Sequence, residues 1–213
     1  VELPCPCPVC RGYTAAELRA SPDLGRLLSL HNLAVSLAEI SRIRQAITDG
    51  VLWELVDERC RAHPQLLRAY RELLGRGPEL EPFDRSSKRR FFYRGSESCL
   101  RTEVAAFQQQ IRRIATGSNV LVAVDGKKRS GYDTTLFFKP PFGPFPPELR
   151  ETFPIGQSEI PEWDEEMVVQ GCAGVLALVT ANPGSRFCIF TPGRWLDTFR
   201  RELPGCEVRC DPV

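Results

Sequence analysis

Apolar residues recur with helical spacing over the first quarter of the chain. The segment Thr14 to Glu17 has the capping-box pattern, which predicts a short helix that ends before Ser21-Pro22. A longer helical region follows from about residue 23 to residue 49, and Gly50 is placed to stop it in the left-handed conformation. The chain therefore opens with helices rather than strands.

Two features of the long helical region leave its form open. Ile40, Ile43 and Ile47 are spaced three and four residues apart, as in a buried stripe. Ser36 to Glu39 repeats the capping-box pattern, so the region could also be two helices that meet near Val35. Either form predicts one apolar face.

Further helices are predicted before the periodicity is lost. One begins at 51–56, and another starts at Pro64 and continues to about residue 74. His63 precedes that proline and is interpreted as a turn or cap residue. The segment 75–83 is rich in glycine and proline, which predicts a linker.

The second half alternates strands with helices, which predicts a small α/β region. The predicted strands are 119–124, 134–138, 186–190 and 207–209. The predicted helices are 101–115, about 162–178 and 192–203. The intervening segment 140–161 is rich in proline and glycine, and no regular element is expected there.

Composition is that of a globular protein. The chain has 213 residues, of which 42% are hydrophobic, enough for one or two domains with ordinary cores. No apolar run approaches the roughly 18 residues needed to span a bilayer, so we expect a soluble, cytoplasmic protein without a membrane segment. The net charge of +1 excludes a global attraction to nucleic acid, so any RNA contact must depend on local clusters.

Three cysteines and a histidine near the start have the spacing of a metal site. Cys5, Cys7 and Cys10 fall within six positions, and His31 follows on a predicted helix. Three thiolates and one imidazole complete a tetrahedral shell for Zn²⁺, and a shell with no open position is structural rather than catalytic. We therefore predict that the zinc holds a loop against a helix and takes no part in chemistry.

Disulfides and a core histidine are the alternatives to zinc. Cys5 and Cys7 are too close to pair comfortably, and nine cysteines with no secretory leader do not suggest a disulfide framework. Cys206 and Cys210 form a lone Cys-x3-Cys pair, which is weak evidence for metal. The cysteines outside the first motif are interpreted as small buried hydrophobes.

Two basic segments are candidates for RNA contact. Lys88, Arg89 and Arg90 precede aromatic residues, a combination that neutralises phosphates and offers rings for stacking. A second cluster, Lys127, Lys128 and Arg129, is predicted at a loop tip. The alternative for the first cluster is an exposed basic segment that leads into a strand whose aromatic residues belong to the core.

Several stretches together resemble one family, the archaeal tRNA-guanine transglycosylases, which insert a deazaguanine base into tRNA on the route to archaeosine. The zinc motif Cys5 to Cys10, the segment Leu30 to Leu33 and the helix ending Arg42 to Ile47 are similar to the zinc subdomain and last helices of the family's barrel. Pro141 to Leu149, continuing into Glu151 to Pro154, resembles the first of the archaeal C-terminal domains.

The resemblance implies an α+β protein. Its expected parts are a zinc-bound helical end of a (β/α)8 transglycosylase barrel, followed by small α/β C-terminal domains. The implied boundaries are 1–80 for the zinc subdomain and terminal barrel helices, 81–157 for the first C-terminal domain and 158–213 for the second.

The resemblance also implies a missing catalytic part. The family uses two aspartates that precede the zinc site, and no residue here matches either of them. We therefore expect a subunit that needs a separate N-terminal barrel chain, with tRNA as substrate and a homo-oligomer as a further possibility. The alternatives are a non-catalytic tRNA-binding or scaffold relative, and a later archaeosine-pathway enzyme, against which the zinc motif argues.

Overall fold

The computed structural model describes residues 3–210. The chain divides between Leu55 and Val56 into two compact units. The outer ends of the predicted domains 1–80 and 158–213 lie outside the described residues. None of the helices within residues 3–210 combines the length and the apolar character that crossing a bilayer requires.

The first unit is helical. It contains α1 (Pro8–Gly12), α2 (Ala15–Ala20) and α3 (Leu24–Asp49), and α4 (Leu52–Cys60) begins within it. The capping box of α2 is confirmed, since the Thr14 backbone N–H donates to Glu17 Oε2 at 2.7 Å and Glu17 N donates to Thr14 Oγ1. The left-handed stop of α3 is also confirmed, with Gly50 at φ 67°.

α3 is one continuous helix, so the alternative of two helices meeting near Val35 is wrong. The predicted burial of Ile40, Ile43 and Ile47 is also wrong, because these side chains are 39–49% exposed. The helices α1 and α2 pack against α3, and of its side chains only Leu27 and Ala46 are buried. An exposed apolar stripe therefore remains along α3.

In the described part of the second unit, up to residue 210, the rest of α4 is followed by five further α-helices. They are α5 (Pro64–Leu74), α6 (Gly77–Leu80), α7 (Thr102–Ile111), α8 (Glu165–Ala181) and α9 (Leu196–Glu202). His63 caps α5, as predicted, because its Nδ1 accepts the Gln65 backbone N–H at 3.2 Å. The predicted linker at 75–83 instead contains α6 and a 3-10 turn, Glu81–Phe83.

Within residues 56–210, seven strands form two sheets. The strands are β1 (Phe91–Phe92), β2 (Asn119–Ala123), β3 (Thr134–Lys139), β4 (Gly143–Phe145), β5 (Ser158–Glu159), β6 (Arg186–Phe190) and β7 (Glu207–Arg209). The larger sheet has the order β4-β3-β2-β6-β7, and the smaller sheet pairs β1 with β5. The segment 140–161, for which no regular element was expected, thus supplies β4 and β5.

The larger sheet is parallel except at β4. Leu121 of β2 pairs with Thr135 of β3 and Cys188 of β6, while Phe138 pairs with Pro144 in the antiparallel edge. Four of the five residues of β2 are buried, as expected for a central parallel strand. The carboxyl ends of β2, β3 and β6 therefore meet at one edge of the sheet.

The sheet joins distant parts of the chain. Strands β2, β3 and β4 come from residues 81–157, and β6 and β7 come from residues 158–213. One core cluster likewise includes Val104, Leu136, Met167 and Phe199. The domain boundary at 157 stays a prediction, and limited proteolysis is its direct test.

Candidate metal centre

The three cysteines and the histidine converge in the first unit. Cys5 and Cys7 lie in the loop before α1, Cys10 lies on α1, and His31 lies on α3. Their three Sγ atoms and one imidazole nitrogen all lie within 4.8 Å of one another. Among residues 3–210, no other group of three or more such side chains could hold a metal ion.

Local chemistry brings the ligand atoms together. Cys7 is the N-cap of α1, and its Sγ accepts the Cys10 backbone N–H at 3.4 Å. Pro8 occupies the first turn of α1, where its fixed φ favours helix initiation. This turn places Cys7 and Cys10 on the side that meets His31.

The distances fit a tetrahedral ion. His31 Nδ1 lies 3.3 Å from Cys7 Sγ and 3.2 Å from Cys10 Sγ. Bond lengths of about 2.3 Å to sulfur and 2.1 Å to nitrogen place tetrahedral ligands roughly 3.5 to 3.8 Å apart. The group could therefore bind a metal after small side-chain adjustments.

The two central thiols have opposite pKa shifts. The Cys10 backbone N–H, aided by His31, lowers the pKa of Cys7 to about 6. Burial and the neighbouring Cys7 raise the pKa of Cys10 to about 11. One thiolate, that of Cys7, is therefore favoured before metal binding. Its negative charge, together with burial, disfavours deprotonation of the neighbouring Cys10 thiol.

A small apolar cluster supports the centre. Cys7, Val9, Leu18 and Leu27 are buried together, and Leu24 packs against them. Leu27 and Leu24 thus lie on the His31 side of α3, as its helical pattern predicts. Leu28, three residues before His31, is 41% exposed.

The first basic segment is only partly at the surface. Lys88, with its side chain 5% exposed, lies 2.5 Å from Asp84 and 3.0 Å from Glu103. Arg90 stacks over the Phe92 ring at 5.2 Å, and Arg89 is exposed. Because two carboxylates hold the Lys88 ammonium inside the protein, Lys88 is poorly placed to contact RNA.

The second basic segment forms the turn that the sequence predicts. The Asp125 carboxylate accepts the Lys127 backbone N–H at 3.0 Å and two bonds from Arg129. The Arg129 guanidinium also lies 3.8 Å from the centre of the Phe190 ring. Lys127 and Lys128 are exposed, so these two side chains present the charge of this loop to solvent.

Two groups of charged residues in the second unit were not singled out from the sequence. One is a carboxylate network in which Glu97 contacts Arg61 at 3.2 Å and Arg71 at 2.5 Å. The other is the pair Lys139 and Arg150, which line one cleft. Lys139, which follows the apolar run Leu136 to Phe138 at the end of a predicted strand, was the available signal for the second group.

The chain was compared with known proteins. The family model described as queuine tRNA-ribosyltransferase matches residues 1–65, which include all four candidate ligands. The tRNA-guanine(15) transglycosylase of Methanosarcina acetivorans is 43% identical over 187 residues, covering 87% of this chain and 38% of the relative. That of Haloferax volcanii is 44% identical over 192 residues, covering 88% and 37%.

A third relative extends the match along the chain. The tRNA-guanine(15) transglycosylase of Archaeoglobus fulgidus is 35% identical over 211 residues, which cover 97% of this chain and 43% of the relative. The similarity thus includes both structural units. The chain therefore belongs to the archaeal tRNA-guanine transglycosylase family, and it spans about two fifths of the length of these three curated relatives.

Proposed function

We propose that this chain is the zinc-binding part or subunit of an archaeal tRNA-guanine transglycosylase. The complete enzyme would exchange guanine for a 7-deazaguanine base in tRNA, as a step of archaeosine biosynthesis. The observation that carries the proposal is similarity to tRNA-guanine(15) transglycosylases over most of the chain. The clustered metal ligands, within the segment that the family model matches, support it.

In this proposal Zn²⁺ is held by Cys5, Cys7, Cys10 and His31. A bound zinc with three thiolates and one imidazole supplies structural cross-linking and has no open position for substrate. The residues themselves position the loop: Cys7 caps α1, while His31 fixes that loop to α3. The centre therefore shapes the unit and carries no step of base exchange.

The catalytic aspartates implied by the family are proposed to lie outside this sequence. The exposed stripe on α3 supports a missing partner, because Leu30, Leu33, Leu37, Ile40 and Ile47 are all 44–56% exposed. Their spacing of three, four, three and seven residues places them on one side of the helix. Such a stripe is expected where terminal barrel helices pack on the rest of a (β/α)8 barrel.

The test is capture of the partner with the tagged chain, followed by a labelled-guanine exchange assay on tRNA. We expect a barrel chain that contains two active-site aspartates, together with exchange activity in the eluate. The variant Leu33→Gln/Leu37→Gln should lose both partner and activity while retaining zinc. Leu66→Gln, which changes a leucine of α5 that is 49% exposed, is the matched control.

The result also separates the enzyme subunit from its alternative, a non-catalytic tRNA-binding relative. That alternative is favoured by the exposed basic residues Arg89, Lys127 and Lys128, which could contact phosphates without catalysis. A chain that binds tRNA, remains monomeric and supports no exchange with any captured protein would establish the alternative.

A further inference from the structure

A cleft of about 470 Å³ opens at the carboxyl edge of the larger sheet in the second unit. Ala123 at the end of β2, Lys139 at the end of β3 and Phe145 of β4 form its floor, and the segment 150–163 forms its wall. In parallel sheets this edge is where ligands commonly bind. The metal centre lies in the other unit, so the cleft is a separate feature.

Lys139 places a positive charge in this cleft, and no carboxylate among residues 3–210 bonds to its ammonium. Its Nζ donates to the carbonyl oxygens of Ile155 at 2.6 Å and Ser158 at 3.0 Å. Burial lowers the pKa of Lys139. The negative charge of Glu151 raises it by a smaller amount, so the pKa lies below its usual value. Because an ammonium has three N–H donors, one donor remains for a ligand. A partly buried cation held by neutral carbonyls favours an incoming anion.

Arg150 adds a second cation to the same cleft. Its side chain is exposed, and within residues 3–210 its guanidinium has no hydrogen bond or ion pair. Some arginines of the unit are instead held by carboxylates, as Arg61 is by Asp57 and Arg71 by Glu97. Arg150 is therefore available for bidentate contact with a phosphate.

Aromatic rings line the remaining wall. Phe137 and Phe145 lie with ring centres 6.1 Å apart, and Trp163 packs edge-on against Phe138 at 6.0 Å. Phe137 and Trp163 are only partly buried, so each presents part of its ring to the cleft. Rings beside two cations are the combination that binds an unstacked nucleotide.

We propose that this cleft binds one unstacked nucleotide of an RNA strand, with its phosphate at Lys139 and Arg150 and its base against Phe137 and Trp163. The carboxylate of Glu151 supplies an acceptor for an N–H group of the base. The two cations and the aromatic rings of the cleft are sufficient to indicate a nucleotide as its ligand. The choice of RNA over a free nucleotide rests on the proposed function in tRNA modification.

The experiment measures RNA binding by the full chain and needs no partner or exchange activity. A labelled single-stranded RNA of about 12 nucleotides is titrated while its fluorescence anisotropy is followed. Arg150→Gln should raise the Kd about tenfold, as expected for loss of a charged contact. It should also reduce the slope of log K against log salt by about 0.7, the value for one phosphate of a single strand.

Matched variants separate the cleft from general charge effects. Arg113→Gln also removes one positive charge, but Arg113 is an exposed residue before β2 that does not line the cleft. Its Kd should therefore stay within about twofold of the wild-type value. Phe137→Leu should raise the Kd with an unchanged salt slope, because it removes a stacking surface. Circular dichroism confirms that each variant is folded.

Three results would overturn the proposal. They are an unchanged Kd for Arg150→Gln, an equal loss for Arg113→Gln, and quenching of tryptophan fluorescence by guanosine monophosphate that Trp163→Phe abolishes, without any binding of RNA. The last result would assign the cleft to a free nucleotide. Since none of these readouts uses base exchange, the cleft can fail while the transglycosylase proposal stands, and the reverse also holds.

Discussion

Gly143 of β4 and Gly174 of α8 meet backbone to backbone. A Cβ atom built on Gly174 would lie 2.8 Å from the Phe142 carbonyl oxygen and 3.2 Å from Gly143 Cα. A Cβ on Gly143 would lie 2.9 Å from the Gly171 carbonyl oxygen, and its φ of 108° is in the region that favours glycine. The antiparallel edge of the sheet can therefore pack directly on α8.

We expect Gly174→Ala to destabilise the second unit by about 3 kcal/mol, because backbone atoms cannot move aside as a flexible side chain can. The free energy of unfolding from urea titration is the measurement. Gly184→Ala is the control, since a Cβ there meets no atom within 4 Å. Equal stabilities of the two variants would contradict the close approach.

Removing one sulfur should release the proposed metal. We expect Cys10→Ala to lose bound zinc, measured by mass spectrometry of the purified protein, and to lower the melting temperature, because a structural zinc stabilises the fold it binds. Cys60→Ala changes a cysteine of α4 outside the group and should keep its zinc. Full zinc occupancy in Cys10→Ala would refute the ligand assignment.

The buried carboxylate of Glu103 should be important for stability. Glu103 lies 2.6 Å from Arg101 and 3.0 Å from Lys88, and all three side chains are at most 5% exposed. Glu103→Gln removes the carboxylate that pairs with two buried cations. We therefore expect a loss of about 3 kcal/mol or more in the free energy of unfolding. Glu148→Gln, at an exposed glutamate, should change stability little and serves as control.

The stability of the second unit should fall in acid. Burial raises the pKa of Glu103, but the charges of Arg101 and Lys88 lower it more, so it lies below its usual range. The pKa of Glu97 is likewise lowered, with its own backbone N–H and Arg71 outweighing burial. Because the unfolded chain binds more protons, this stabilisation is present above about pH 4.5 and is lost as pH falls through the folded pKa values.

Urea midpoints measured between pH 7 and pH 3 test this expectation. The urea midpoint of the wild-type protein should decrease when the pH drops below about 4.5. Glu103→Gln should show a smaller decrease, because one of the linked groups is absent. A midpoint that rises on acidification, or an identical fall in the variant, would contradict the assigned pKa directions.

The basic segments show how far local patterns can be interpreted. Lys127 and Lys128 were predicted at a loop tip, and they lie in a turn where the Asp125 carboxylate accepts the Lys127 backbone N–H. Lys88, like Lys127, is a lysine within a run of basic residues, yet its side chain is buried between Asp84 and Glu103. The difference depends on carboxylates placed by the fold, one of them 15 residues along the chain, so charge clustering could not distinguish the two cases.

The sequence by itself determined the local features of this protein. Capping residues, prolines and Gly50 set the helix limits, because these depend on interactions within a few turns of chain. The residue types and spacing of Cys5, Cys7 and Cys10 with His31 indicated the metal group, because thiolates and an imidazole are the ligands that zinc prefers. Only the tertiary structure decided the pairing of β2 with β6, the exposure of the α3 stripe and the meeting of Lys139 with Arg150 and Trp163. These depend on segments far apart in sequence, whose packing is a property of the whole fold.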